Sequence, residues 1–343
     1  MANPSALTNL RSSFGAYFVD QGQGIKDIDK QFLIKGLTEQ IFNLRPTLQT
    51  QERRVKADMT NSLVQRFQNV VSPRGDVGFE PRSIAMQDLK YEVYLDNMDA
   101  LEESYIGFLA DNDGNDRKTW PFVKWLVNEL MLAKGRQDFE LYEVYLGVYT
   151  SIASAGTANA SGTNFTGIKK LLKNAAAASI PSNVVALGTV ETDPEMFYKQ
   201  VNTWVQTCKA DPVTRMIIEQ YCDYLCMSPE LAERYAMGKD ITLNLNYNRA
   251  TDVNSVLPVT TIKVPYTTKL EVIGLPSMTG ETGIFMTPTE NRAAFIKRPR
   301  GESEFGIFQS SPYAMYIFAK FWKGIGFWHN EFVWTNQTAT TPS

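Results

Sequence analysis

Between residues 120 and 149 apolar side chains recur at helical spacing without a break, and that stretch limits what this chain can fold into more than any other. Phe122, Leu126, Leu130, Ala133, Leu141, Val144 and Val148 share one stripe. Lys124, Glu129, Arg136, Asp138, Glu140 and Glu143 fill the polar remainder. Thr119 stands where a cap belongs, and Pro121 falls in the first turn, where a missing N–H costs nothing. At about 1.5 Å per residue the expected helix is roughly 45 Å long, more than most globular helices reach. Gly135 lies inside it and marks a bend.

What lies on either side of this helix sets the organisation. Upstream, Ser72-Pro73-Arg74-Gly75-Asp76 reads as a turn at the tip of a hairpin. The chain from 77 to 95 alternates, with Tyr91, Val93 and Leu95 on one face, as a half-buried strand does. Residues 51–69 do not decide between strand and helix. Before them, Ile25, Ile28, Phe32, Leu33, Leu37, Ile41 and Leu44 repeat at helical spacing, and Arg45-Pro46 closes that helix. Residues 1–24 are polar and read as an extended arm. A short helix is expected over 99–109.

Downstream, the Gly/Ala/Ser/Thr stretch 151–167 reads as a boundary between lobes. Three helices then announce themselves with a capping residue before proline: Asp193-Pro194, Asp211-Pro212 and Ser228-Pro229. Gly238 closes the last. Residues 241–247 alternate as a strand, and strands continue at 269–274 and 283–286. Thr287-Pro288-Thr289-Glu290 reads as a capping box opening a short helix. The tail from 305 to 334 holds eleven aromatics, a density that means sheet packing, with turns at Ser310-Ser311-Pro312 and Gly324-Ile325-Gly326. At 343 residues the chain exceeds one ordinary core, so two or more lobes are expected.

Several chemistries are excluded or weakened. Net charge is −3, which gives no strong pull toward nucleic acid. No apolar run approaches the roughly 20 residues that span a bilayer, and the start lacks a secretory signal, so synthesis in the cytosol is expected. Cys222 and Cys226 lie four apart, but no further Cys or His completes a zinc site. All three cysteines, Cys208 included, read as small buried residues in a reducing compartment. The acidic loop 111–116 resembles a calcium loop, yet positions six and twelve hold Asp116 and Phe122 where glycine and glutamate belong. It reads as a solvated turn. His329 is the single histidine, and no serine or cysteine accompanies it as a hydrolytic partner. No phosphate-cradling loop or nucleophile elbow is present. No catalytic residue, cofactor or metal is expected.

The order arm, hairpin, spine, separate lobe and returning strands resembles the major capsid proteins of tailed bacteriophages, the HK-ninety-seven fold shared with encapsulins. The resemblance is carried by that order and by short phrases: Glu140-Leu-Tyr-Glu-Val-Tyr-Leu-Gly147 at the spine's end, Phe165-Thr-Gly-Ile168, Leu225-Cys-Met-Ser-Pro-Glu-Leu-Ala-Glu-Arg-Tyr235, and Gly283-Ile-Phe-Met-Thr-Pro-Thr-Glu-Asn291. It implies an α+β fold with an N-terminal arm (1–54), an E-loop (55–95), a P-domain (96–164) with the spine at 120–149, an A-domain (165–288) and a return to the P-domain (289–343). It further implies a structural protein that forms pentamers and hexamers and closes into an icosahedral head around double-stranded DNA, without sequence-specific binding. A separate scaffold protein, a portal and a maturation protease are the implied partners, the virion the location and the bacterial cytoplasm the place of synthesis. Arg74 and Asp76, at the hairpin tip, are the candidate inter-subunit contacts. An encapsulin-type compartment shell, or a tail-tube or sheath protein, is the alternative.

Overall fold

Strict alternation from 87 to 95 makes a strand that pairs along the longest strand of a five-stranded sheet. The computed structural model describes residues 36, 38–60, 66–67, 69, 76–95, 98–111, 122–152, 156, 158–177, 183–243, 261–297, 305–311 and 314–337. Strand β4 (Gln87–Leu95) turns Asp88, Lys90, Glu92 and Tyr94 outward and Leu89, Tyr91, Val93 and Leu95 inward. It runs antiparallel to the long strand β11 (Ala314–Phe327), from Leu95 opposite Met315 to Gln87 opposite Lys323. The other edge of β11 is shared: β10 (Phe305–Ser311) takes its first half and β9 (Arg292–Lys297) its second. Strand β1 (Asn43–Pro46) lies parallel to β9 and completes five strands.

The N-terminal expectation is corrected here. The helix expected over 25–44 gives way in its described part to a 3-10 turn, Thr38–Gln40, and strand β1. Phe42 is fully buried, and Thr47 N–H continues the ladder to Ile296 O at 2.9 Å. Burial of Phe42 and sheet pairing outweigh helical periodicity here, and Pro46 is tolerated because β1 is an edge strand. Residues 25–35 lie outside the described residues.

The inner face of the sheet packs on two helical elements. Leu95, Ile317, Ala319 and Phe321 meet Tyr105 of α1 (Met98–Asp111) and Trp125, Leu126 and Leu132 of the spine α2. The described spine, 122–143, is shorter than expected and is not a uniform α-helix. Phe122–Trp125 and Ala133–Asp138 are α-helical, whereas Leu126–Leu132 and Phe139–Glu143 are wound as π-helix. Each wider turn moves later residues round the axis relative to a 3.6-residue period. Leu130 and Leu141, expected in the stripe, are therefore exposed, while Glu140 and Glu143, expected in the polar remainder, are buried. Gly135 lies inside the α-helical segment Ala133–Asp138. A Cβ there would stand 2.6 Å from the Tyr91 ring, so glycine admits the sheet against the spine.

Residues 158–167 do not form a free spacer. The buried Glu143 carboxylate accepts hydrogen bonds from Gly162 N at 2.8 Å, Asn164 N at 3.2 Å and Asn164 Nδ2 at 2.8 Å, and Phe165 is buried. Helix α3 (Ile168–Ala177) follows.

The other lobe matches its capping signals. Asp193 caps α4 (Pro194–Cys208) by accepting from Met196 N at 3.0 Å, and Asp211 caps α5 (Pro212–Tyr221) through Thr214 N at 2.9 Å. Ser228 caps α6 (Pro229–Thr242) through Leu231 N at 3.4 Å. Gly238 does not end α6: the helix runs on to Thr242, so Ile241 and Thr242 are helical, not strand, and 244–247 lie outside the described residues. A Cβ at 238 would sit 2.0 Å from Pro194 O, so this glycine lets α6 cross the start of α4. These helices cover a sheet ordered β12 (Trp334–Thr335), β8 (Phe285–Met286), β5 (Tyr224–Met227), β7 (Glu271–Gly274), β6 (Thr261–Lys263). Its last strand comes from the tail, so the chain's end joins the second sheet. The expected helix after Thr287 is only a 3-10 turn, Thr289–Asn291, without a side-chain cap.

Strands β2 (Gln51–Thr60) and β3 (Asp76–Ala85) pair only with each other, from Gln51 opposite Ala85 to Thr60 opposite Asp76. The stretch left open at 51–69 is thus strand over 51–60. The ribbon is about 33 Å long at ~3.3 Å per residue. Its strands lie at 51–60 and 76–85, and residues 87–95 of the stretch expected as one hairpin belong to the five-stranded sheet as β4.

Candidate assembly interface

Pairing opposite residues across the ribbon separates its faces. One face carries Val55, Ala57, Val77, Phe79 and Pro81, all exposed, with Phe79 at 68% and Val55 at 63%. The other carries Arg54, Lys56, Arg82 and Ile84 and is turned to the body at its root. There Lys56 Nζ contacts Glu331 Oε1, and the Arg54 guanidinium lies 4.4 Å over the Trp328 ring. Ile84 and Met86 pack with Ala293, Phe295 and Trp328 as a small core.

This root explains a pair of glycines that the sequence alone presents as a turn. Strand β11 passes unbroken through Gly324 and Gly326, where that turn was expected. A Cβ at Gly324 would stand 2.7 Å from Met86 Cγ, and one at Gly326 3.0 Å from Ile84 Cδ1. Both glycines make room for the ribbon to cross the sheet.

The second anchoring point ties the end of the arm to the spine. Thr38 N–H donates to Glu140 Oε1 at 2.8 Å, and the Thr38 hydroxyl donates to the same oxygen. Thr38 Oγ1 also meets Ser277 Oγ at 2.6 Å. Burial pushes the Glu140 carboxyl above its ordinary range; the Thr38 hydrogen bonds pull it down, Glu39 adds to the rise and Lys323 offsets it. Glu140 Oε2 is buried with no hydrogen-bond partner. Beside it, Glu39 Oε1 accepts from Lys323 Nζ at 2.8 Å.

Of the two residues expected at the tip, Asp76 is exposed at the start of β3, its carboxylate accepting Val77 N–H at 2.9 Å. By register it falls on the face of Lys56, not the apolar face. Arg74 lies outside the described residues, as do 112–116 of the acidic loop. Lys56, Glu140, Glu143 and Lys323 were missed as anchors. For Glu140, Glu143 and Lys323 the sequence signal was charge among apolar neighbours; Lys56 stands in a polar stretch that gave none.

His329 is held by its backbone, N–H donating to Asn291 Oδ1 at 2.7 Å and its carbonyl accepting from Asn291 Nδ2 at 2.8 Å. Cys208 and Cys226 are buried, which pushes both thiols up to about 12, and burial raises Cys222 as well. Among the described residues no cluster of His, Cys, Asp or Glu could hold a metal ion. No described helix is long and apolar enough to cross a membrane.

No family model matches this sequence, and no curated protein matches it. Solved structures do. A chain of the satellite phage P4 procapsid, a particle including the size determination (Sid) protein, is 10% identical; the match covers 86% of this chain and 91% of that one, with a TM-score of 0.53. The capsid of Myoviridae phage XM1 matches at 13% identity over 88% and 92% of the two chains, with a TM-score of 0.47. The mature capsid of bacteriophage PhiM1 matches at 10% identity over 88% and 86%, with a TM-score of 0.42. The chain is an α+β protein with the tailed-phage capsid fold.

Proposed function

We propose that this chain is the major capsid protein of a tailed bacteriophage, forming pentamers and hexamers that close into an icosahedral head around double-stranded DNA. The observation that carries this reading is the fold, shared over 86% of the chain with a procapsid chain. The ribbon supports it. A two-stranded ribbon is marginal alone, and this one exposes a continuous apolar face. Its apolar part, about five residues or ~17 Å long and ~10 Å wide, offers roughly 170 Å², well under half of the roughly 800 Å² per partner in a standard interface. Such a face suits a subunit held by several neighbours at once. The role is structural, not catalytic. A separate scaffold protein, a portal and a maturation protease complete the assembly, made in the bacterial cytoplasm, and the domain limits follow those of the resemblance, with the ribbon at 51–85.

Co-expression with a scaffold protein, followed by negative-stain imaging, tests the proposal. Closed shells are expected. A monodisperse 38.7 kDa monomer in the presence of scaffold would overturn it. Tubes would favour a tail-tube or sheath protein, and shells holding protein cargo without nucleic acid an encapsulin.

A further inference from the structure

At the ribbon's root three cations, Arg54, Lys56 and Arg82, lie near one carboxylate of the body, that of Glu331. Glu331 stands on the short turn Asn330–Phe332 of the body and contacts Lys56 of the ribbon through Oε1. His329, two residues earlier on the same body segment, places Nδ1 3.9 Å from that same Oε1. The charged groups that face His329 are Glu331 on its own segment, Lys56 and Arg54 from β2, and Arg82 from β3. Its ring sits edge-on to Phe332, over which Lys56 Nζ also lies, at 5.8 Å.

We infer that His329 is a proton-operated release for the ribbon: when its imidazole takes up a proton, it competes with Lys56 for Glu331 and loosens the ribbon from its own subunit. The inference rests on the shell reading for its purpose, since a ribbon that grips a neighbour must first leave its own body. Its mechanism depends only on this chain.

The exchange follows from geometry. Neutral His329 makes no claim on Glu331, and Lys56 has the carboxylate. A charged imidazole satisfies Glu331 from within the body, so the tie to the ribbon loses its partner. It also adds a positive charge beside Arg54, Lys56 and Arg82, all of which move away if the ribbon lifts. The sign agrees with the surroundings. Burial, and after it the three ribbon cations, hold His329 below its ordinary value of 6.5, with Glu331 opposing. In the lifted state those influences are relieved, so the lifted state binds the proton more tightly. Docking is strongest above about pH 6.5 and weakens as pH falls below it, through the lowered value of the docked state. Glu331 stays ionised across this window, its carboxyl held below the ordinary range by the Lys56 hydrogen bond and charge despite the opposing effect of burial.

Spin labels at Ala57→Cys on the ribbon and Thr189→Cys on the body test the release in isolated subunits. The three native thiols are buried, so labelling goes to the introduced sites. Between about pH 7.5 and about pH 5.5 the interlabel distances should shift and broaden. His329→Gln should hold the high-pH distribution at both values, and Glu331→Gln should give the broad one at both. An unchanged distribution in the parent, or the same shift in His329→Gln, overturns the inference. Circular dichroism confirms that each variant is folded, and particle formation is scored separately by imaging. A pH-driven shift in subunits that never form shells would leave the release standing and remove the shell reading.

Discussion

Lys323 Nζ lies 2.8 Å from Glu39 Oε1, with 8% and 5% of the two side chains exposed, tying the long strand to the end of the arm across 284 positions of sequence. The same ammonium stands 4.2 Å over the Phe139 ring of the spine. One buried cation thus joins arm, sheet and spine.

Breaking that pair on one side should be costly. Lys323→Met leaves Glu39 buried without its cation and is expected to lose about 3–5 kcal/mol of subunit stability. The double variant Glu39→Gln/Lys323→Met should recover much of the loss. Urea unfolding of isolated subunits measures both. A single-variant loss under about 1 kcal/mol would mean that the pair acts like an exposed one.

Glu140 predicts a pH dependence of opposite sense to that of an ordinary ion-paired carboxylate. Its folded pKa is raised, so its contribution to stability is full below the ordinary carboxylate value and is lost as pH rises through the raised one. Glu140→Gln keeps an acceptor for Thr38 and removes the buried charge. The variant should melt higher than the parent at about pH 8, with the difference shrinking or reversing toward about pH 4. A constant difference across that range would show that folding does not raise the Glu140 pKa.

Two helical glycines should respond in opposite directions. A Cβ added at Gly107 would meet nothing within 4 Å, so Gly107→Ala should stabilise α1 by about 0.5–1 kcal/mol. Gly238→Ala drives a methyl into Pro194 O and should lose about 1–3 kcal/mol or more. Calorimetry of both variants decides. Equal effects would mean that α6 and α4 separate freely.

On the ribbon, Phe79→Asp should abolish particle formation while changing subunit stability by no more than about 0.5 kcal/mol, because the ring touches water in the free subunit. Arg74→Glu at the tip should impair assembly as well. Particle yield against melting temperature separates the roles. Normal yield from Phe79→Asp would remove the apolar face from the interface.

Where a signal was local, the sequence carried it. Asp193, Asp211 and Ser228 cap helices because each side chain satisfies an N–H three residues on, and Tyr91, Val93 and Leu95 point inward because a strand alternates. The order of parts, and with it the fold, was legible for the same reason. What depended on distant neighbours was not. Glycines at 135, 238, 324 and 326 read as bends, stops or turns, yet each lies inside an element and admits a backbone or side chain from elsewhere. The π-helical turns displaced the expected stripe, so Glu140 and Glu143 became buried anchors while Leu130 and Leu141 faced water. Residues 51–60 became strand only because 76–85 pair with them. Periodicity and caps act within a few residues along the chain; close approach, ion pairing and strand pairing exist only once the chain has brought its remote parts together.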